Sequence, residues 1–396
     1  VDDTTKILQI LELGRNAFNT STDSALFYFN LAEKLAGNSK GIHSKYQFLE
    51  AEALRYAGIA QRRNGEYQKA ISSYTKALEI MLKGNYINGA ATCYRNIGNV
   101  YYYQGLYSDA LNYYQKTLEL YAQSNDKEGL AGTYLNLGNI FEKQGNYQSA
   151  IENYHQALAL YEETGKDTGI AACYTNIGII HHAQNNLVDA LDYLQKSILY
   201  KEKVGDKRST SISLVNLGNV YHALSKDEND EAEKLQLQRL AKSTFEKSLA
   251  LKSEINDKLG MSACYNNIGE IYNTWNISDS AQYFYKKSLA LDLELNNKKG
   301  MASSFKNLSS LALENKEFLQ SIRFAHKGLD IASEIGALPE LYVLYKNLIH
   351  SYASIGKFEK AYSFFSLFNS ASDSLYSQSR SKAISELEIK YQTEKK

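Results

Sequence analysis

Seven asparagines recur along this chain at one repeating position: Asn96, Asn136, Asn176, Asn216, Asn267, Asn307 and Asn347. Five of the six steps between them are 40 residues and one is 51. A side-chain amide donates and accepts hydrogen bonds at once. A row of amides can therefore grip the backbone of an extended peptide without reading its sequence. Asn99, Asn139 and Asn219 stand three residues further on, and that second register is broken at Ile179, Glu270, Ser310 and His350. The same amides have a structural use, in which each bonds to the neighbouring unit and holds the stack. The residues alone leave both uses open.

Other polar side chains fall on the same stripe. Arg95, Tyr102, Lys143, Thr175, His182, His222, Asn266, Lys306, Lys346 and His350 join it, and Lys306 and Lys346 share the repeat position of Arg95. His182 and His222 each lie four residues after a repeat glycine, Gly178 and Gly218. An imidazole pair there makes a pH-sensitive polar patch. It does not make a metal site, because packed helices stand about 8–10 Å apart and no carboxylate partner motif accompanies the pair. Cys93, Cys173 and Cys264 each lie five residues before a repeat glycine, which is the place of a small apolar contact. Two repeats separate them, roughly 20 Å at that helix spacing, so neither a disulfide nor a thiolate metal site is expected. No HExxH, P-loop, GxSxG or paired-carboxylate motif appears. The chemistry expected is binding, with no catalytic residues, metal or cofactor.

Charge excludes a further class. Lys plus Arg is 44 and Asp plus Glu is 44 in 396 residues, with no long basic run, so nucleic acid is not an expected partner. No apolar run approaches the ~20 residues of a spanning helix. No signal peptide is visible, and the chain opens on Val1 and ends at Lys396 within a helical pattern, which reads as a segment of a longer parent.

The elements that must position the stripe are helices. In 86–125, Ala90, Cys93, Tyr94, Ile97, Val100 and Tyr101 follow a helical period up to Gly105. A second helix starts near Tyr107 and carries Ala110, Leu111, Tyr114, Leu118 and Tyr121. Gly98 and Ala110 let the two backbones approach, and large aromatics fill the space beside them. That packing layer accounts for 32 tyrosines. The single proline, Pro339, suits helix after helix. Polar turns such as Asn125-Asp126-Lys127 and Asn256-Asp257-Lys258 supply caps.

This grid divides 1–373 into nine helix pairs: 4–38, 42–84, 86–124, 126–164, 166–204, 206–255, 257–295, 297–335 and 337–373. A C-terminal helix, 374–396, follows. The sixth pair holds an insertion at 225–240, read as a loop plus an extension of the second helix from near Asp230. The eighth and ninth pairs carry Ser309 and Ile349 in place of glycine, so their helices are expected to sit slightly farther apart. Repeats of this length bury their apolar faces only against one another, which predicts a solenoid.

The pattern resembles the forty-residue variety of the tetratricopeptide repeat. Ile97, Gly98, Tyr101, Ala110 and Tyr114 match its small-and-large signature, as do Leu137, Gly138, Phe141, Ala150 and Tyr154. The resemblance implies an all-α, right-handed superhelical solenoid of nine antiparallel helix pairs. It also implies that the first helices line a concave groove that takes a peptide or protein. A second resemblance lies in the tail. Asp373-Ser374-Leu375-Tyr376 and 382–391 look like the end of the sensory region in tetratricopeptide-containing sensor histidine kinases and transcription regulators of Bacteroidetes-like bacteria. It implies a peptide- or protein-binding sensor module of a two-component type of signalling protein, with a membrane-anchored, homodimeric parent whose output lies beyond Lys396. The alternative is a stand-alone scaffold or adaptor, resembling LGN-like or kinesin-light-chain-like repeats. The compartment stays open, periplasmic for a sensor-kinase region and otherwise cytoplasmic. In the tail, Ile384, Leu387 and Tyr391 form a one-sided apolar stripe expected either to cap the last pair or to begin a signalling helix.

Overall fold

The computed structural model describes residues 3–18, 20–38 and 44–394, with side chains described as far as residue 377. Its elements are α1 (Asp3–Ala17), α2 (Thr22–Asn38), α3 (Ser44–Arg63), α4 (Tyr67–Lys83), α5 (Ile87–Tyr103), α6 (Tyr107–Ser124), α7 (Lys127–Lys143), α8 (Tyr147–Glu163) and α9 (Asp167–Ala183). They continue as α10 (Leu187–Val204), α11 (Lys207–Asp227), α12 (Glu231–Glu254), α13 (Lys258–Thr274), α14 (Ser278–Glu294), α15 (Lys298–Glu314), α16 (Phe318–Glu334), α17 (Leu338–Ser354) and α18 (Phe358–Glu394). Contacts divide the chain into two units, Val1–Cys173 and Tyr174–Lys396. In the first, α1–α2, α3–α4, α5–α6 and α7–α8 are antiparallel pairs, each packed on the next. In the second, α10 packs on α11, and α11–α12, α13–α14, α15–α16 and α17–α18 repeat the arrangement. The fold is an all-α solenoid of paired antiparallel helices.

The pair α7–α8 shows why these residues fold this way. Asp126 caps α7 by accepting the Gly129 N–H at 2.8 Å. Ala131, Leu137 and Ile140 form its buried stripe. Gly145, at φ 77°, turns the chain in a left-handed conformation that costs a glycine little. Asn146 then caps α8 through the Ser149 N–H at 3.2 Å. Tyr154, fully buried, fills the space over Gly138, and its hydroxyl donates to Asn139 Oδ1 at 2.8 Å. The side chain that occupies the room left by the glycine is thus the aromatic, more than the small residue at Ala150.

The eighth pair corrects one expectation. Ser309 and Ser321 bond across α15 and α16, Ser309 Oγ to the Ser321 carbonyl at 3.1 Å and Ser321 Oγ to the Ser309 carbonyl at 2.9 Å. A hydroxyl cannot reach an opposing backbone carbonyl unless the helices are close. Both serines are buried and so is Ala325, which holds the place of Tyr154. The small and large partners have been exchanged for two hydroxyls and an alanine.

The insertion does not lengthen a loop. α11 has 21 residues and α12 has 24, against 17 in α7 and α13, so both helices of this pair are extended. Glu228 Oε1 receives the N–H groups of Asn229 and Asp230 at 2.8 and 2.9 Å, and Asp230 caps α12 through Ala232 and Glu233. In the extension, Gln238 is buried and accepts the Trp275 indole N–H at 2.7 Å. At the other end, the ninth pair's second helix and the expected C-terminal helix are one element, α18, of 37 residues. The side chains of Ile384, Leu387 and Tyr391 lie outside the described residues.

One repeat position changes character along the chain. Met81, Tyr121 and Tyr161 are buried there in the first unit. Lys201, Lys252 and Asp292 are buried there in the second. Lys201 Nζ donates to Thr175 Oγ1 and Ser213 Oγ, both at 2.7 Å. Lys252 pairs with Asp257 at 2.9 Å, and Asp292 receives the Asn297 amide at 2.7 Å. Buried polar groups need such partners, and here they are hydroxyls of the neighbouring helices for Lys201 and the Asp257 and Asn297 side chains at the start of the next helix for Lys252 and Asp292. The three cysteines are buried and free, with Cys93 and Cys173 pushed up to about 12 by burial.

Candidate ligand-binding face

The face in question belongs to the odd-numbered, first helices of the pairs. Their turns hold it in place, and its residues are half-buried along most of its length. In the first unit Asn136 Nδ2 donates to Asn99 Oδ1 at 3.0 Å, and the same oxygen accepts from Tyr114 Oη at 2.6 Å. These bonds link α7 to α5 and α5 to α6. Asn139 repeats the tyrosine bond with Tyr154. Asn96 is half-buried, and its Nδ2 is buried with no hydrogen-bond partner among the described residues. Tyr102 is half-buried beside Tyr107, with ring centroids 5.9 Å apart.

In the second unit Asn267 Nδ2 donates to Asn219 Oδ1 at 3.4 Å, and Asn307 Nδ2 to Asn266 Oδ1 at 3.4 Å. Asn347 is buried and donates to Ser309 and Ser310 at 3.2 and 3.0 Å. Asn176 and Asn216 are half-buried. Where partners are seen, each amide of the recurring column therefore reaches the first helix of the preceding pair. His222 is buried with Nε2 3.8 Å from Glu270, and burial holds its pKa below the ordinary histidine value, with Glu270 pulling the other way. Burial also lowers the His182 pKa. Burial therefore favours the neutral form of both rings. Lys306 is half-buried and Lys346 exposed.

One cleft on this face lies in the first unit. A cleft of about 710 Å³ is lined by Thr92 and Arg95 of α5, Gly129 and Gly132 of α7, and Tyr121 and Tyr161, among others. Arg95 lies over the Tyr121 ring, its Cζ 5.6 Å from the centroid. Tyr121 Oη and Thr92 Oγ1 are hydrogen-bonded at 2.8 Å. Of these lining residues, only Arg95 stood out in the sequence. Gly132 is not a repeat-signature glycine, and Tyr161 reads as packing. Their shared signal would have been the small residue at 132 facing the arginine one repeat earlier. Among the described residues no group of three His, Cys, Asp or Glu side chains could hold a metal, and no helix is long and apolar enough to cross a membrane.

Fold and face together define a helical-repeat solenoid with a polar stripe along its first helices. Residues 49–123 and 129–203 match the family model of the tetratricopeptide repeat. No curated protein matches it. Among solved structures it is similar to the apo form of the quorum sensor NprR from B. thuringiensis, with a TM-score of 0.60 and 17% identity over 93% of this chain and 99% of that one. It is also similar to a Rap protein complexed with competence and sporulation factor, with a TM-score of 0.54 and 13% identity over 95% and 99%. The apo form of RapI gives a TM-score of 0.51 and 17% identity over 74% and 99%. At these identities the likeness is one of fold.

Proposed function

We propose that this chain is a regulatory scaffold or adaptor that binds a peptide or a peptide-like segment of a partner protein along the exposed face of its first helices. The observation that carries this is the cleft of about 710 Å³ over α5, α7 and the start of α9, which offers a cation, hydroxyls and aromatic edges on a rigid helical frame. Supporting it, one similar structure is of a Rap protein complexed with competence and sporulation factor, and another is of a quorum sensor. A helical frame on which amides already bond from pair to pair meets a ligand pre-organised, which limits the ordering cost of binding.

The test is selection of a random peptide library on the full chain, followed by titration of the enriched peptides. One-to-one binding in the micromolar range is expected. Tyr102→Ala and Asn96→Ala together should weaken it about tenfold or more, a loss of about 1.4 kcal/mol, with the urea midpoint little changed. Failure to enrich any peptide, or unchanged affinity in the double variant, would overturn the reading. The triple variant Asn136→Ala, Asn176→Ala, Asn216→Ala separates the two uses of the column. Loss of cooperative unfolding with unchanged affinity would make those amides structural.

A second reading takes the chain as the sensor module of a longer bacterial signalling protein. What favours it is α18, whose 37 residues run well past the 17 of its partner α17. Sedimentation of a form extended by about 30 residues, some four heptads, tests whether that helix pairs with its twin. A monomer at high concentration would remove this reading and leave the first intact.

A further inference from the structure

The charges around the cleft in the first unit are mostly committed. Lys166 pairs with Glu128 at 3.2 Å, Lys127 pairs with Glu163, and Asp126 accepts the Gly129 N–H at 2.8 Å. Arg95 differs. Its Cζ lies 5.6 Å from the Tyr121 ring centroid, and among the described residues no carboxylate, carbonyl or amide accepts from its N–H groups. A guanidinium whose N–H groups are not bonded within the protein keeps those in-plane donors for a planar acceptor. Gly132 lies opposite. A Cβ at that residue would stand 3.2 Å from Arg95 Nη1 and 3.4 Å from Tyr161 Oη. The guanidinium and the phenol hydroxyl, from different helix pairs, thus converge on one small volume that exists because residue 132 has no side chain. Among the described residues the Tyr161 hydroxyl has no hydrogen-bond partner, and burial keeps it protonated, its pKa pushed up to about 12. It remains a donor at every physiological pH.

We infer that Arg95, Tyr161 and the gap at Gly132 form a subsite for a carboxylate of the bound peptide, held by the guanidinium edge and the phenol O–H. This rests on the peptide-binding reading above and specifies its ligand as acidic. Two N–H donors and one O–H donor match the acceptors of a single carboxylate. Thr92, bonded to Tyr121, fixes the ring beside the guanidinium. The carboxylate can come from an Asp or Glu side chain or from a peptide C-terminus, and the two are separable in the test.

The full chain carrying labelled arginine is titrated with acetyl-Ala-Ala-Glu-Ala-Ala-amide, and the Arg95 Nε–Hε resonance, assigned by its loss in Arg95→Gln, is followed. A saturable shift is expected with the Glu peptide and none with its Gln counterpart. Acetyl-Ala-Ala-Ala with a free C-terminus reports the terminal source, and the Glu peptide, amidated, the side-chain source. Arg95→Gln and Gly132→Val should each weaken binding at least tenfold, and Tyr161→Phe about threefold. The Tyr161→Phe variant keeps the proposal testable should Gly132→Val fold poorly. Equal binding of the Gln peptide, unchanged affinity in Arg95→Gln or in Tyr161→Phe, or no saturable shift would overturn the subsite. A phosphoserine peptide binding ten times more tightly would replace the carboxylate with a phosphate. None of these results touches the general peptide-binding reading, which stands or falls on the library selection.

Discussion

Gly138→Ala is expected to lower the stability of the first unit by about 2 kcal/mol, even though alanine is the better helix former by up to about 1 kcal/mol. The reason is Tyr154. A Cβ at residue 138 would lie 2.4 Å from Tyr154 Cε1 and 2.6 Å from Cδ1. The ring cannot swing away cheaply, because it is fully buried and its hydroxyl bonds Asn139 at 2.8 Å and Glu142 at 3.0 Å. Tyr154→Ala alone should cost about 3–5 kcal/mol by leaving a cavity. The chain itself contains the compensated version, since Ser309, Ser321 and Ala325 occupy these places in α15–α16. Gly138→Ala with Tyr154→Ala should therefore cost less than the sum of the two single changes, by more than about 1 kcal/mol. Adding Ala150→Ser, with serine at 138, should recover more. Urea unfolding of the four proteins of the cycle measures this. Strict additivity would show that the two positions do not share the same space.

Lys201→Met is expected to stabilise the protein at pH 7 by about 1–3 kcal/mol, and the gain should shrink as the pH rises. Lys201 is 8% exposed and its ammonium is bonded by two hydroxyls at 2.7 Å each. Burial pulls its pKa from 10.5 down to about 8, with Asp206 acting weakly in the opposite sense. The sign follows from where the proton sits. Below pH 8 folded and unfolded chains both carry it, and the folded state bears the full cost of a buried charge. Between about 8 and 10.5 the folded chain releases the proton while the unfolded chain keeps it, so stability rises with pH. Methionine removes that dependence. Thr175 and Ser213 are not stranded by the change, because each lies within reach of Ser197 Oγ, at 2.7 and 3.3 Å. Urea midpoints of wild type and variant at pH 7, 8, 9 and 10 give the difference curve. A flat difference, or a destabilised variant at pH 7, would mean the ammonium is well solvated or holds the helices together.

The sequence by itself determined the helices, their pairing and their turns. A helix records its buried face every three or four residues, and a cap or a left-handed turn is written within four residues of its effect, as at Asp126 and Gly145. The recurrence near 40 residues then makes stacking the only way to bury those faces. What the tertiary structure decided were contacts between residues of different helices. Asn136 is 37 residues from Asn99, Lys201 is 12 from Ser213, and both bonds depend on how one pair sits on the next. The recurring asparagines announced a polar stripe, and only their partners show how many amides are occupied from pair to pair. Ser309 read as a lost glycine until Ser321 and Ala325 were seen to have changed with it. The convergence of Arg95 and Tyr161 on the gap at Gly132 has no periodic signal, because it joins three different repeat positions, each unremarkable alone. Local rules specify elements, whereas a site made by three elements exists only once packing has set their spacing.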